Sequence, residues 1–180
     1  MIDPTQISFR RMAMDDLQLM HRWLQMPHVL KWWWGGVAPT YEVIAEKYGT
    51  RIRGEELTDP YVMSLGDQPI GYIQTYRISD YPEYAAAVGA DEEAAGVDLF
   101  IGEETYLHKG LGSHILQRFL RAIVFAAGDI ASCIIGPSET NAIAIRAYEK
   151  AGFRYFKTIP SENETTPEYL MRITRADLEE

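Results

Sequence analysis

Cysteine is nearly absent. Cys133 is the only one among 180 residues, so no disulfide framework can brace the chain, and its apolar neighbours mark an inert strand position. Metal-ligand spacing is missing too: His21, His28, His108 and His114 are scattered, and no metal site is expected. No apolar run approaches the length of a membrane span. The opening Met1-Ile-Asp-Pro-Thr-Gln6 carries no basic stretch, so a cytoplasmic location is expected. Basic residues are outnumbered, 17 Lys and Arg against 26 Asp and Glu, for a formal net charge of −9. That balance argues against nucleic acid and anionic membranes as partners and favours cationic ones.

The apolar share, 47%, is ordinary for a globular protein, and the length suits one domain spanning residues 1–180 with a sizeable core. Gln6–Met12 alternates as a first strand, with Ile7 and Phe9 on one face. Asp15 or Asp16 can cap a helix in which Leu17, Met20, Trp23 and Leu24 recur at helical spacing, and Met26-Pro27 ends it. Three adjacent tryptophans, Trp32, Trp33 and Trp34, then precede two glycines. Neighbouring indoles point to different sides, so some fill the core and at least one is expected to line a cleft. Thr40 can cap a second helix running to about Arg53. Tyr61–Leu65 and Ile70–Tyr76 read as a hairpin around Gly66-Asp67.

Residues 79–96 read as a long acidic loop. From Ser79 to Glu104 there are eight carboxylates and no Lys or Arg, a run that fits a solvated face as well as a binding surface. Gly110–Ala127 is the strongest helix, with Leu111, Ile115, Leu116, Phe119, Leu120, Ile123 and Val124 in one stripe. Ala131–Ile135 is an apolar strand. Asn141–Ala151 is a helix with Gly152 as its stop. Phe153–Ile159 and Pro167–Ile173 complete an antiparallel pair, joined by the acidic loop 161–166. The order βααββ, loop, βαβαββ implies an α/β fold with a mixed sheet (α+β in its strand directions) and helices on both faces.

The chain is organised around Gly96–Gly112: a short apolar strand, then a turn holding His108, Lys109, Gly110 and Gly112, then the long helix. A glycine-rich turn opening a helix can offer several unpaired N–H groups to a phosphate, with His108 and Lys109 adding positive charge. The same glycines would also serve a plain tight turn. A second element follows about thirty residues on, Asn141-Ala-Ile-Ala-Ile-Arg-Ala-Tyr-Glu-Lys-Ala-Gly-Phe153.

Together Leu107-His-Lys-Gly-Leu-Gly112 and this second element resemble the two acyl-CoA motifs of the GNAT superfamily of N-acetyltransferases, with Leu107 where a glutamine or arginine often stands. Trp33-Trp-Gly-Gly36, Pro60-Tyr-Val62, Pro69–Tyr76, Gly96-Val-Asp98 and Ala144–Phe153 are similar to the aminoglycoside 6′-N-acetyltransferases. The resemblance implies a GNAT fold whose sheet splits at an acetyl-CoA site, and antibiotic resistance as a duty. It implies cofactor contacts from Leu99, Phe100, Ile101, His108, Lys109, Gly110, Leu111, Gly112, Ser113, Asn141, Ala144 and Lys150. Asp98 would hold the acceptor ammonium and take its proton, with partial burial raising its pKa. Tyr148 would be the acid for the departing thiolate. The acceptor, a cationic small-molecule amine such as an aminoglycoside, would meet Trp32, Trp33, Tyr76, Glu83, Asp98, Glu139 and Glu162. A family enzyme that this chain resembles has an aspartate where Gly136 stands here, a departure that bears on which amine is preferred. The same motifs also fit acetylation of another amine, such as a lysine-like siderophore precursor or a protein amine, and a non-catalytic acyl-CoA-binding domain.

Overall fold

Seven strands form a mixed sheet in the order β1-β2-β3-β4-β5-β7-β6 in the computed structural model, which describes residues 3–161 and 166–179. They are β1 (Ile7–Arg11), β2 (Thr58–Leu65), β3 (Gln68–Arg77), β4 (Ala94–Ile101), β5 (Ser132–Ile135), β6 (Arg154–Ile159) and β7 (Glu168–Thr174). β1 and β2 are antiparallel, with Phe9 opposite Met63. β4 and β5 are parallel, and β7 runs antiparallel to both β5 and β6. The helices are α1 (Leu17–Trp23), α2 (Pro27–Trp33), α3 (Tyr41–Ile52), α4 (Pro82–Val88), α5 (Leu111–Phe119), α6 (Ala142–Ala151) and α7 (Arg175–Glu179). The substrate candidate Glu162, with most of the acidic loop around it, lies outside the described residues.

Two compact units divide the chain: Met1–Thr75 with Leu99–Lys109, and Tyr76–Asp98 with Gly110–Glu180. The first is built on Met12, Leu17, Met20, Trp23, Leu24, Ile44, Tyr48, Val62, Tyr72 and Phe100, the apolar faces of α1, α3 and the strands. Its aromatic residues meet edge to face: Trp33 lies 4.9 Å from Phe100 and 5.8 Å from Tyr72 between ring centres. The polar ends are satisfied in place. Trp33 Nε1 donates to the Tyr48 hydroxyl at 2.9 Å, and the Arg51 guanidinium donates to Gln74 Oε1 at 2.6 Å. Tyr72 donates to that same Gln74 oxygen at 2.9 Å. In the second unit, Ile78, Val88, Ala94, Ile134, Ile159 and Leu170 form the core, and Leu111, Ile115, Leu116 and Phe119 of α5 are buried.

Four elements differ from the sequence expectation. Trp32 and Trp33 end a helix, α2, which Pro27 can start because a missing N–H costs nothing in the first turn, and Trp34 is its C-cap. The expected loop over 79–96 contains α4: Pro82 starts it, the run Ala85-Ala-Ala87 favours it, and Gly89 ends it at φ 60°. Its last three residues already belong to β4. α5 stops at Phe119, and Leu120–Val124 widens into a π-helical turn rather than continuing to Ala127. α7 follows β7 and carries no signal that the sequence reading used. Elsewhere the expected elements stand, with Asn141 capping α6 and Gly152 closing it at φ 107°.

Candidate active site

The pairing of β4 with β5 is brief. It covers Ala94↔Ser132, Ala95↔Cys133 and Gly96↔Ile134, while β4 runs on to Ile101. On its other side β4 stays close to β3: Gly102 N donates to Ile70 O at 2.8 Å. A Cβ on Gly71 would collide with the Phe100 carbonyl and come within 2.7 Å of Met63 Cε, so only glycine lets the two strands approach. Main-chain groups alternate in side along a strand. Phe100 and Gly102 therefore address β3, and Leu99 and Ile101 address the opposite edge. His28 Nε2 lies 2.9 Å from the Ile101 carbonyl on that edge. Among the expected cofactor contacts, Phe100 is thus committed to the sheet by its main chain and to the aromatic core by its ring.

Asp98 is half-buried and lies in a field of four protonated groups of its own unit. Burial pushes the Tyr76 phenol well above its ordinary value, and the charges of Asp98 and Glu168 add to the effect. Burial likewise raises Tyr84, reinforced by Glu168 and Asp98. The Tyr148 phenol and the Cys133 thiol are both pushed up, by burial first and by the Asp98 charge second. Tyr76 donates to Tyr84, and Tyr84 donates to Glu168, so two hydroxyls lead from the neighbourhood of Asp98 to a second carboxylate. Two glycines make room for this arrangement. The ring of Tyr76 stands directly on Gly96, and the Glu168 carboxylate stands over Gly136, 2.9 Å from where a Cβ would be.

The turn before α5 has left-handed backbone at two positions. His108 sits at φ 58° and Gly110 at φ 75°. Gly110 is exposed, and a Cβ there would have no heavy atom within 4 Å, so its main chain is open to a ligand. Lys109 and His108 are exposed, whereas Leu111 is buried and can offer only its main chain. Gly112 fits against α6, a Cβ there falling 3.4 Å from Ala147. The Ser113 hydroxyl lies 3.5 Å from the Gly110 carbonyl. Asn141 is occupied as the cap of α6, its Oδ1 accepting from Ala144 N at 3.2 Å, and Lys150 is exposed on the last turn.

Of the expected acceptor residues, Asp98 and Tyr76 are brought together in one unit with Tyr148. Glu83, on the first turn of α4, and Glu139 are exposed in the same unit. Trp32 and Trp33 belong to the other unit; Trp33 is packed as described, and the Lys31 ammonium lies 4.6 Å from the Trp32 ring centre.

A family model described as an acetyltransferase (GNAT) domain matches residues 12–160. The chain belongs to the GNAT acetyltransferases. Aminoglycoside N(6′)-acetyltransferase type 1 of Klebsiella pneumoniae is 32% identical over 163 residues, 90% of this chain and 78% of that protein. A solved structure of AAC(6′)-Ib with ribostamycin and coenzyme A superposes with a TM-score of 0.81 at 29% identity, covering 97% of this chain and 96% of that one. Another, of AAC(6′)-Ib with paromomycin and acetyl-CoA, gives 0.80 at 31% identity with the same coverage. The GNAT match runs through both compact units.

Two residues of this acetyltransferase escaped sequence reasoning. Tyr84 was within reach, one position after Glu83 in the aromatic and acidic stretch. Glu168 had no local signal. Only strand pairing puts it beside Gly136: Ile135 pairs with Met171, and Ser138 bridges Glu168.

Proposed function

We propose that the chain is an acetyl-CoA-dependent N-acetyltransferase that modifies the 6′-amine of aminoglycosides by direct attack in a ternary complex, as one domain over residues 1–180. The observation that carries this reading is the half-buried Asp98 near the end of β4, with Tyr148 in its field. The similarity to aminoglycoside 6′-acetyltransferases over 90% of the chain supports the acceptor class. The edge of β4 at Leu99 and Ile101, the open main chain at Gly110 and the exposed Lys109 and His108 suit a pantetheine arm and phosphates. Acetyl-CoA supplies the acetyl group as an activated thioester.

Asp98 holds the incoming ammonium, then accepts its proton directly or through one water, because only the neutral amine can attack. Tyr148 keeps its proton throughout the working range, since its pKa is raised. Full transfer to a thiolate, whose conjugate acid has a pKa of about 8.5, is uphill from such a phenol, so Tyr148 acts first as a hydrogen-bond donor to the departing sulfur. A covalent route through Cys133 is disfavoured, as the buried thiol resists ionisation. The acidic balance of the chain suits a polycationic acceptor, and the cytoplasm, where acetyl-CoA is available, is the proposed location.

Release of coenzyme A thiol from acetyl-CoA, measured across a panel of amines, tests the proposal. Turnover is expected with aminoglycosides bearing a 6′-amine and not with their 6′-hydroxyl analogues. Equal rates on both kinds, or turnover only with unrelated amines, would overturn it.

A further inference from the structure

Gly136 is not in a left-handed conformation, so its lack of a side chain serves space rather than backbone freedom. A Cβ there would stand 2.9 Å from Glu168 Oε2, 2.9 Å from Leu170 Cδ2 and 3.7 Å from the Tyr84 hydroxyl. The carboxylate on β7 thus fills the place that any side chain at the end of β5 would take. Pairing fixes it there: Tyr169 N donates to Pro137 O at 2.8 Å and Glu139 N donates to Pro167 O at 3.0 Å, on either side of Glu168. The Tyr84 hydroxyl orients it further. A carboxylate has about four lone-pair directions and can accept from more than one donor at a time. Glu168 is half-buried, as are Tyr76 and Tyr84, so a ligand can reach the cluster.

We propose that Glu168 is an acceptor-binding residue which, with Asp98, selects amines that carry a second ammonium group. Asp98 takes the amine to be acetylated, and Glu168 anchors another cation of the same molecule. The inference rests on the acetyl-transfer reading above and adds a residue that determines specificity. It also gives the chain a carboxylate from β7 in place of the aspartate that the family resemblance leads one to expect at the end of β5.

The test is steady-state kinetics with saturating acetyl-CoA and kanamycin as the varied acceptor, at several salt concentrations. Glu168→Gln keeps shape and an acceptor for Tyr84. It is expected to raise KM about tenfold with kcat within about twofold, and to flatten the rise of KM with salt, because one charge pair is gone. A merely structural role would leave the salt dependence as steep as in the parent. Gly136→Asp alone is expected to impair binding by displacing Glu168. Combined with Glu168→Ala it should recover most of the lost affinity, since the carboxylate then returns from the other strand. An unchanged KM and salt slope in Glu168→Gln would overturn this inference alone, and so would a double variant no better than Glu168→Ala. No turnover of kanamycin or any other aminoglycoside by the parent enzyme would overturn the acetylation reading and this inference with it.

Discussion

Gly96→Ala is the sharpest test of the packing at the candidate site. The added methyl would lie 2.6 Å from the Tyr76 hydroxyl oxygen and closer still to the ring carbons Cζ and Cε2. Non-bonded carbon contacts are comfortable at about 3.5–4.0 Å, so the ring must retreat by about 1 Å. Tyr76 is not free to do so: Tyr81 and Tyr84 pack on it with ring centres 5.3 Å and 6.4 Å away. Overpacking of this kind costs about 1–3 kcal/mol, which for a chain of this size lowers the melting temperature by roughly 2–12 °C. The displaced hydroxyl also loses its aim at Tyr84, so KM for an aminoglycoside should rise by about tenfold. Thermal unfolding followed by circular dichroism, with kinetics on the same samples, reads both effects. In a Tyr76→Ala background the obstacle is absent, and Gly96→Ala should then cost almost nothing. A melting temperature within about 1 °C of the parent, or the same penalty in both backgrounds, would refute the reasoning.

Two further expectations concern chemistry and charge. Asp98→Asn should lower kcat by ~100-fold or more, whereas Tyr148→Phe should lower kcat with little change in coenzyme A affinity by calorimetry; unchanged rates would assign structural roles instead. Because Tyr148, Tyr76 and Tyr84 are all raised, none of them should cause a fall in rate below about pH 10 in the pH profile. Far from the site, Asp16 accepts from Arg10 Nη1 and Nη2 at 2.7 Å each and from Ala13 N at 2.8 Å. Burial opposes its charge, yet the Arg10 and Ala13 bonds together pull its carboxyl below the ordinary value. Its contribution is therefore present above the unfolded pKa of about 4 and lost as the pH falls through the lower folded value. Asp16→Asn should cost about 1 kcal/mol at pH 7, a modest figure because Arg10 is half-exposed, and the difference from the parent in urea titrations should shrink at pH 3.

The strands, α3, α6 and the glycine-marked turns were legible because each rests on local signals: alternation, a threonine or asparagine cap, or a left-handed glycine. The acyl-CoA motifs were legible for the same reason, being contiguous. α4 was missed because its charge pattern drew the reading away from Pro82 and the three alanines after Glu83. The fate of Trp33 was decided by partners that no local pattern announces, Tyr48, Tyr72 and Phe100. Gly96 and Gly136 look like loop or motif glycines in the sequence, but both are spacers beneath a side chain from elsewhere. Glu168 became visible only once β7 lay against the end of β5.

The early end of the β4–β5 ladder makes the protein its own occupancy gauge. Among the described residues, no strand covers the outer edge of β4 past Gly96. The backbone hydrogens of Leu99 and Ile101 on that edge should therefore take up deuterium quickly, while those of β5 remain slow. Any molecule that lies along β4 and accepts from these two positions must slow them first, before any product forms. Mass-spectrometric exchange on the peptide around Phe100 could thus rank coenzyme A, its acetyl form and fragments of either as binders, without an acceptor in the tube.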